Sequence, residues 1–190
     1  SLPDEQAPSN VSKKTKFYIE SVKDVRAFEN DPKQASTPSL YKHNVNEVSA
    51  KEKQKYIGRT RNSYGKGLWN IILENKQRTT GIVRAHIEDA FRSNGFQIVK
   101  NENEIDKDTI SVNARIEKLW TYLTLGAVKV GLNADISTTL SVNNKELSTV
   151  VKRKEEYFLV NQNDYANIIK SSLAEYKEKL AKQISELNLE

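Results

Sequence analysis

The side chains here with the greatest chemical reach are two histidines, His43 and His86, and a scatter of carboxylates and basic groups; cysteine and methionine are absent. Without a thiol there is no cysteine nucleophile, thiolate metal site or disulfide framework. His86 falls on the apolar side of a helical pattern, where a core-edge histidine holding one hydrogen bond is the expected role, since a metal site needs several converging ligands. His43 sits in a polar stretch with no acidic partner beside it. The alternating carboxylates Glu102, Glu104, Asp106 and Asp108 lack the central glycine and closing glutamate of a calcium loop, so they read as a solvated connection. No GxSxG, HExxH, P-loop, GxGxxG or Ser/His/Asp constellation occurs. The chain is therefore expected to be no enzyme and to use neither cofactor nor metal.

Binding chemistry is better represented. Between Lys51 and Arg78, eight basic residues stand against two acidic ones, a net +6 in a chain whose whole charge is +5. That segment interleaves Arg59, Arg61 and Lys66 with Tyr56, Tyr64 and Trp69, a pattern that can grip phosphates and stack bases or approach anionic headgroups. Asp24 and Arg26, two apart, leave a strand on one side and form either a structural ion pair or a polar rim for docking. Trp120 and Tyr122 share one face of another strand, as core or as the lining of a groove. The candidate binding surface is thus Asp24, Arg26, Arg59, Arg61, Lys66, Trp69, Trp120 and Tyr122.

What must position these groups follows from composition and patterning. The 190 residues suit one domain, and 37% apolar content supports a modest core. A mean hydropathy of −0.69, with no apolar run near ~18 residues, leaves no spanning helix. Residues 1–16, rich in proline, lysine and small polar groups, read as a flexible leader ahead of a domain over 17–190. The chain opens on Ser1, so a preceding piece is expected to have been removed.

Phe17 to Val25 predicts a strand whose phase slips near Ser21. The connection over 41–78 is basic and poorly patterned, save for a turn at Tyr64-Gly65-Lys66-Gly67 before the apolar run Leu68 to Leu73. Thr79 or Thr80 is expected to cap a helix reaching Asn94-Gly95, followed by a strand at Phe96 to Val99. Alternation over Ile110 to Tyr122 places Trp120 and Tyr122 in phase with Ile110, Val112, Ala114 and Ile116. Val128 to Val142 alternates without a break, implying a strand with one wet face and a hairpin at Asn143-Asn144. Asp164 is expected to cap a last helix from Tyr165 to about Leu187, with Tyr165, Ile169, Leu173, Tyr176, Leu180, Ile184 and Leu187 as its buried stripe. The predicted fold is α+β: an antiparallel sheet of four to five strands with two helices packed on one face.

With these elements in place the chain resembles the YajG-like family of bacterial outer-membrane lipoproteins over roughly residues 17–186. The resemblance rests on Val22-Lys23-Asp24-Val25-Arg26, Ile57-Gly58, Asn94-Gly95-Phe96-Gln97-Ile98-Val99, Leu119-Trp120-Thr121-Tyr122, Gly126, Ala134-Asp135-Ile136 and Tyr157-Phe158. In fold alone it is also similar to the lipoprotein activators of peptidoglycan synthases and the TolB amino-terminal domain. The resemblance implies a non-enzymatic periplasmic domain, held at the outer membrane by a lipid on a cysteine that is not in this chain, and binding an envelope protein or peptidoglycan-associated partner. The alternative from the residues themselves is a soluble nucleic-acid-binding α+β module using the 51–78 segment.

Overall fold

The computed structural model describes residues 15–187 and Leu189, so the expected leader lies outside the described residues but for Thr15 and Lys16. Strand β1 (Lys16–Asp24) buries Phe17 and Ile19, and the slip near Ser21 is a register shift at which Ser21 Oγ donates to Asn113 Oδ1 at 2.6 Å. A long loop leads to the single turn α1 (Ala50–Lys53) and then to β2 (Tyr56–Arg61) and β3 (Gly67–Ile72). Helix α2 (Thr79–Ser93) and the short β4 (Gln97–Ile98) precede the long strands β5 (Ile110–Leu125), β6 (Val130–Val142) and β7 (Lys145–Tyr157). Asn143 and Asn144, both at positive φ, turn β6 into β7 as their amide side chains permit. Helix α3 (Gln162–Ser185) closes the domain.

Among the described residues the seven strands form one mixed sheet, which corrects the expected antiparallel sheet of four to five strands. The pairs β5–β6, β6–β7 and β2–β3 are antiparallel, but β1–β5, β1–β4 and β2–β5 are parallel. The difference has two causes. A hairpin, β2–β3, lies inside the connection that showed no pattern. In addition, β1 meets β5 only after a crossover through that hairpin and α2, and long crossovers are what parallel neighbours require.

Strand β6 occupies one edge of β5 along nearly its whole length, so β1 and β2 must share the other. β1 runs beside β5 as far as Asp24–Ile116, and β2 meets it again at Gly58–Thr121. The gap between them is filled by Arg26, whose side chain is fully buried. Its Nη1 donates to the carbonyls of Tyr56 and Leu119, both at 2.8 Å, and its Nη2 donates to Lys53 O at 3.0 Å and Asp24 Oδ2 at 2.8 Å. Nε completes a fork onto Asp24 at 2.9 Å. Thr79 Oγ1 donates to the same carboxylate at 2.7 Å, so the threonine expected to cap α2 anchors it to β1 instead, and Arg78 stands at the N-cap without a side-chain bond.

Helices α2 and α3 share one core with the covered face of the sheet. Val83, Ile87, Ala90 and Phe91 from α2 meet Ile168, Leu173, Tyr176 and Leu180 from α3 over Ile116, Leu132, Ile136 and Leu140. Phe17 stacks on Phe91 with centroids 4.4 Å apart. The last helix starts three residues earlier than the patterning indicates, because Asn161 caps it and Asp164 completes a capping box at the third position.

Removing Arg26 leaves the buried Asp24 carboxylate without its counter-charge and frees three carbonyls at the joint of two strands. Arg26→Met is expected to cost about 3–5 kcal/mol in urea unfolding, and a loss under about 1 kcal/mol would contradict the role given to this pair.

Candidate functional site

The eight candidate residues do not form one surface. Asp24 and Arg26 are sealed in the strand joint, with side chains 4% and 0% exposed, so they are no docking rim. Trp120 is fully buried and Tyr122 half-buried, and both lie on the face opposite the one assigned to them. The reason is a β-bulge between Ile116 and Lys118, which inserts one residue and reverses the phase of everything beyond it. Ile110, Val112, Ala114 and Ile116 face the helices, as does Leu119 after the bulge; Trp120 turns to a second cluster with Leu40, Val45 and Tyr56. The 25–49 loop supplies the cover for this cluster. Trp120 Nε1 donates to Ala35 O at 3.2 Å and its ring meets Phe28 edge-on.

The wet face expected on β6 holds at Ser137, Thr139 and Ser141, which stay part-exposed, and fails at the other end of the strand. Asn133 and Asp135, opposite Tyr122 and Trp120 in the ladder, are only 7% and 6% exposed, and the strand starts at Val130, leaving Val128 in solvent. Asp135 accepts from Tyr122 Oη at 3.4 Å and has Lys118 Nζ at 3.8 Å. Burial pushes its carboxyl above the ordinary 3.8, while the Lys118 and Lys152 ammoniums and the Tyr122 hydroxyl pull the other way. Burial, then the charge of Asp135, raises the Tyr122 phenol. Alternation alone marks Asp135 as solvated; only the bulge reveals the cluster beside it.

Three of the expected residues do come together. Arg59, Arg61 and Lys66 line a cleft of about 440 Å³ between the β2–β3 turn and the 25–49 loop, joined there by Asp31, Lys33 and Tyr64. The hairpin holds the two guanidiniums from below. Arg59 donates to Leu68 O at 3.2 Å, Gly67 O at 3.3 Å and Ser39 Oγ at 3.0 Å, and Arg61 Nη1 donates to Gly65 O at 2.6 Å. Gly65 takes φ +78° at the turn, and a Cβ on Gly67 would stand 2.6 Å from the Arg59 guanidinium. Both positions therefore suit glycine. Burial lowers the pKa of Arg59, and burial followed by the charge of Arg59 lowers that of Arg61, although both stay cationic. Asp31, Lys33 and Tyr41 carry no signal in the sequence beyond loop composition, yet they flank these arginines.

Trp69 stands outside the cleft, 63% exposed on β3, with the Tyr41 ring edge-on at 4.9 Å. The Tyr41 ring also lies under the Arg59 guanidinium at 5.9 Å. The histidines contribute nothing here. His86 Nδ1 bonds Ile82 O at 2.8 Å within its own helix, and His43 is exposed in the loop. Of the acidic run, Asp106 is engaged by Lys16 at 2.8 Å and by the Thr109 hydroxyl. Among the described residues no three His, Cys, Asp or Glu side chains converge as a metal site, and no helix is long and apolar enough to cross a membrane.

No protein-family model and no curated protein matches the chain by sequence. Among solved structures it is similar to an uncharacterized protein at 9% identity and a TM-score of 0.46, over 88% of this chain and 92% of that one. It is also similar to a DUF330 protein from Xanthomonas campestris at 8% identity and a TM-score of 0.46, over 94% and 93%. At that level neither neighbour bears on what this chain does.

The two tryptophans should report their settings separately. In Trp69→Phe the remaining Trp120 emission is expected to be blue-shifted and nearly inert to acrylamide, whereas ready quenching would place that ring in solvent. Asp135 carries a pH signature. Its folded carboxyl keeps a proton to higher pH than the unfolded one, so the folded state binds more protons above about pH 3.8 and stability falls as pH rises through that window. Asp135→Asn is expected to be more stable than wild type near neutral pH, with the gap closing as the pH drops below about 3.8; a variant weaker at neutral pH would reverse this reading.

Proposed function

We propose that this chain is a non-catalytic binding module of the bacterial cell envelope, held at the outer membrane by a lipid-modified cysteine ahead of Ser1, which docks an envelope protein or peptidoglycan-associated partner through the free edge of its sheet. The observation that carries the docking mode is β3. Among the described residues it pairs with β2 alone, and it displays Trp69 and, at 50% exposure, Ile72. A strand at the edge of a sheet with exposed large apolar side chains is a template on which an extended segment of another protein adds as a further strand. The hairpin tip beside it presents Tyr64, 92% exposed, and Lys66 as a polar margin. The location and the anchor come from the resemblance to the YajG-like family.

The basic segment supports the nucleic-acid alternative poorly. Arg59 and Arg61 sink into the hairpin, Lys55 pairs with Glu52, and the Lys53 ammonium lies over the Phe28 ring, so the positive charge does not form a continuous stripe along one face.

Expression of the precursor in a bacterial host with labelled palmitate tests the address: label should enter the protein and the protein should sediment with outer membranes. Unlabelled protein in the cytosolic fraction would end the proposal. Docking is checked by pull-down from envelope extract, in which Trp69→Lys is expected to abolish partner recovery while shifting unfolding stability by no more than about 0.5 kcal/mol.

A further inference from the structure

We propose that the cleft between the β2–β3 turn and the 25–49 loop is a binding site for a phosphate group, held chiefly by Arg61 and Arg59 with Lys66 and Lys33 at its mouth. The site does not depend on where the chain resides, and it shares Tyr64 and Lys66 with the margin of the docking edge.

Two arginines of this chain are satisfied in opposite ways. A guanidinium offers five N–H donors. In Arg26 all five find acceptors: Asp24 twice, and the carbonyls of Tyr56, Leu119 and Lys53. That is what an arginine used purely as a structural tie looks like here. Arg61 is different. Only one of its donors has a protein acceptor among the described residues, at Gly65 O, and its Nε is buried with none. A buried, unmatched N–H is costly, and a charged one more so. Neither Arg59 nor Arg61 forms an ion pair among the described residues. Both guanidiniums line one cleft, and its single carboxylate, Asp31, forms an ion pair with neither.

The lining says which anion. Arg59, Arg61, Lys33 and Lys66 oppose the single carboxylate Asp31, so the cleft carries several uncompensated positive charges. A monoanionic carboxylate would leave most of them unmatched. A phosphate ester bears close to two charges near neutral pH and three acceptor oxygens, and arginine forks match its geometry in a bidentate manner. The donors are also fixed in advance. Carbonyls of Gly65, Gly67 and Leu68 and the Ser39 hydroxyl hold both side chains in place, so little rotamer freedom is lost when the anion arrives. A volume of about 440 Å³ accommodates a phosphate with a small attached group.

The test uses the full chain labelled with 15N, following the Nε–H resonances of Arg26, Arg59 and Arg61 as inorganic phosphate is added at constant ionic strength. In parallel the protein is floated with vesicles of phosphatidylcholine alone or with phosphatidic acid. A saturable shift at Arg61 and Arg59 with Arg26 unmoved is the expected result. The dissociation constant should weaken at least tenfold in Arg61→Gln and by a smaller factor in Lys66→Gln. If phosphatidic acid vesicles retain the wild type but not Arg61→Gln, the phosphate belongs to a lipid headgroup. If only free phosphate binds, its source is a soluble ester. Absence of any saturable shift at Arg61, together with no retention on phosphatidic acid vesicles beyond that on phosphatidylcholine, overturns the proposal, and this needs no variant. Phosphate binding as tight in both variants as in the wild type overturns it as well.

Discussion

The sheet holds together because one guanidinium satisfies the seam where two strands meet end to end. β1 and β2 lie successively on the same edge of β5, and neither alone covers it. At such a junction backbone carbonyls point into a gap with no amide to receive them, and buried orphan carbonyls are rarely tolerated. Arg26 reaches into the gap and donates to carbonyls from α1, β2 and β5 at once, while Asp24 balances its charge from β1. Thr79 extends the same network to the start of α2. Five elements are located by one ion pair, and the hairpin that bears the cleft is among them.

The second organising device is the bulge of β5. One extra residue lets a single strand line the helix-covered core with its first half and the loop-covered cluster with Trp120. Without that phase change the 25–49 loop would have no apolar floor, and the basic cleft between this loop and the β2–β3 turn would lose one wall. The shape of the hairpin cleft thus traces to how β5 packs on its two faces.

Much of this frame is legible in the amino-acid order, and its gaps have physical causes. The slip in β1, the turn at Asn143-Asn144 and the stripe of α3 all show because their side chains repeat with the period of the element that forms. The turn at Gly65 and the apolar run of β3 are visible, but β2 stays hidden because Gly58, Arg59, Thr60 and Arg61 hardly alternate in polarity: two of the four are buried there, one of them a charged side chain tied to its own hairpin. Parallel pairing is invisible since it depends on crossovers rather than on adjacent segments. Trp120 and Tyr122 are read onto the wrong face because a bulge leaves no mark in a pattern that merely counts by twos. Asp24 and Arg26 are recognised as a pair, but their spacing is the same whether the pair lies in water or in a seam. Arg59, Arg61 and Lys66 are found through their charge, and it is the turn at Gly65 that brings them together.

Strand β5 supplies side chains to both apolar clusters, and β2 does so too, through Ile57 on one side and Tyr56 on the other. The loop cluster therefore cannot peel away as a flap while the rest stays intact, since exposing Trp120 means disturbing the strand that carries Ile116 and Leu119. Amide protons on the two faces should then exchange through the same global opening, with the domain melting as one cooperative unit despite its two oily compartments.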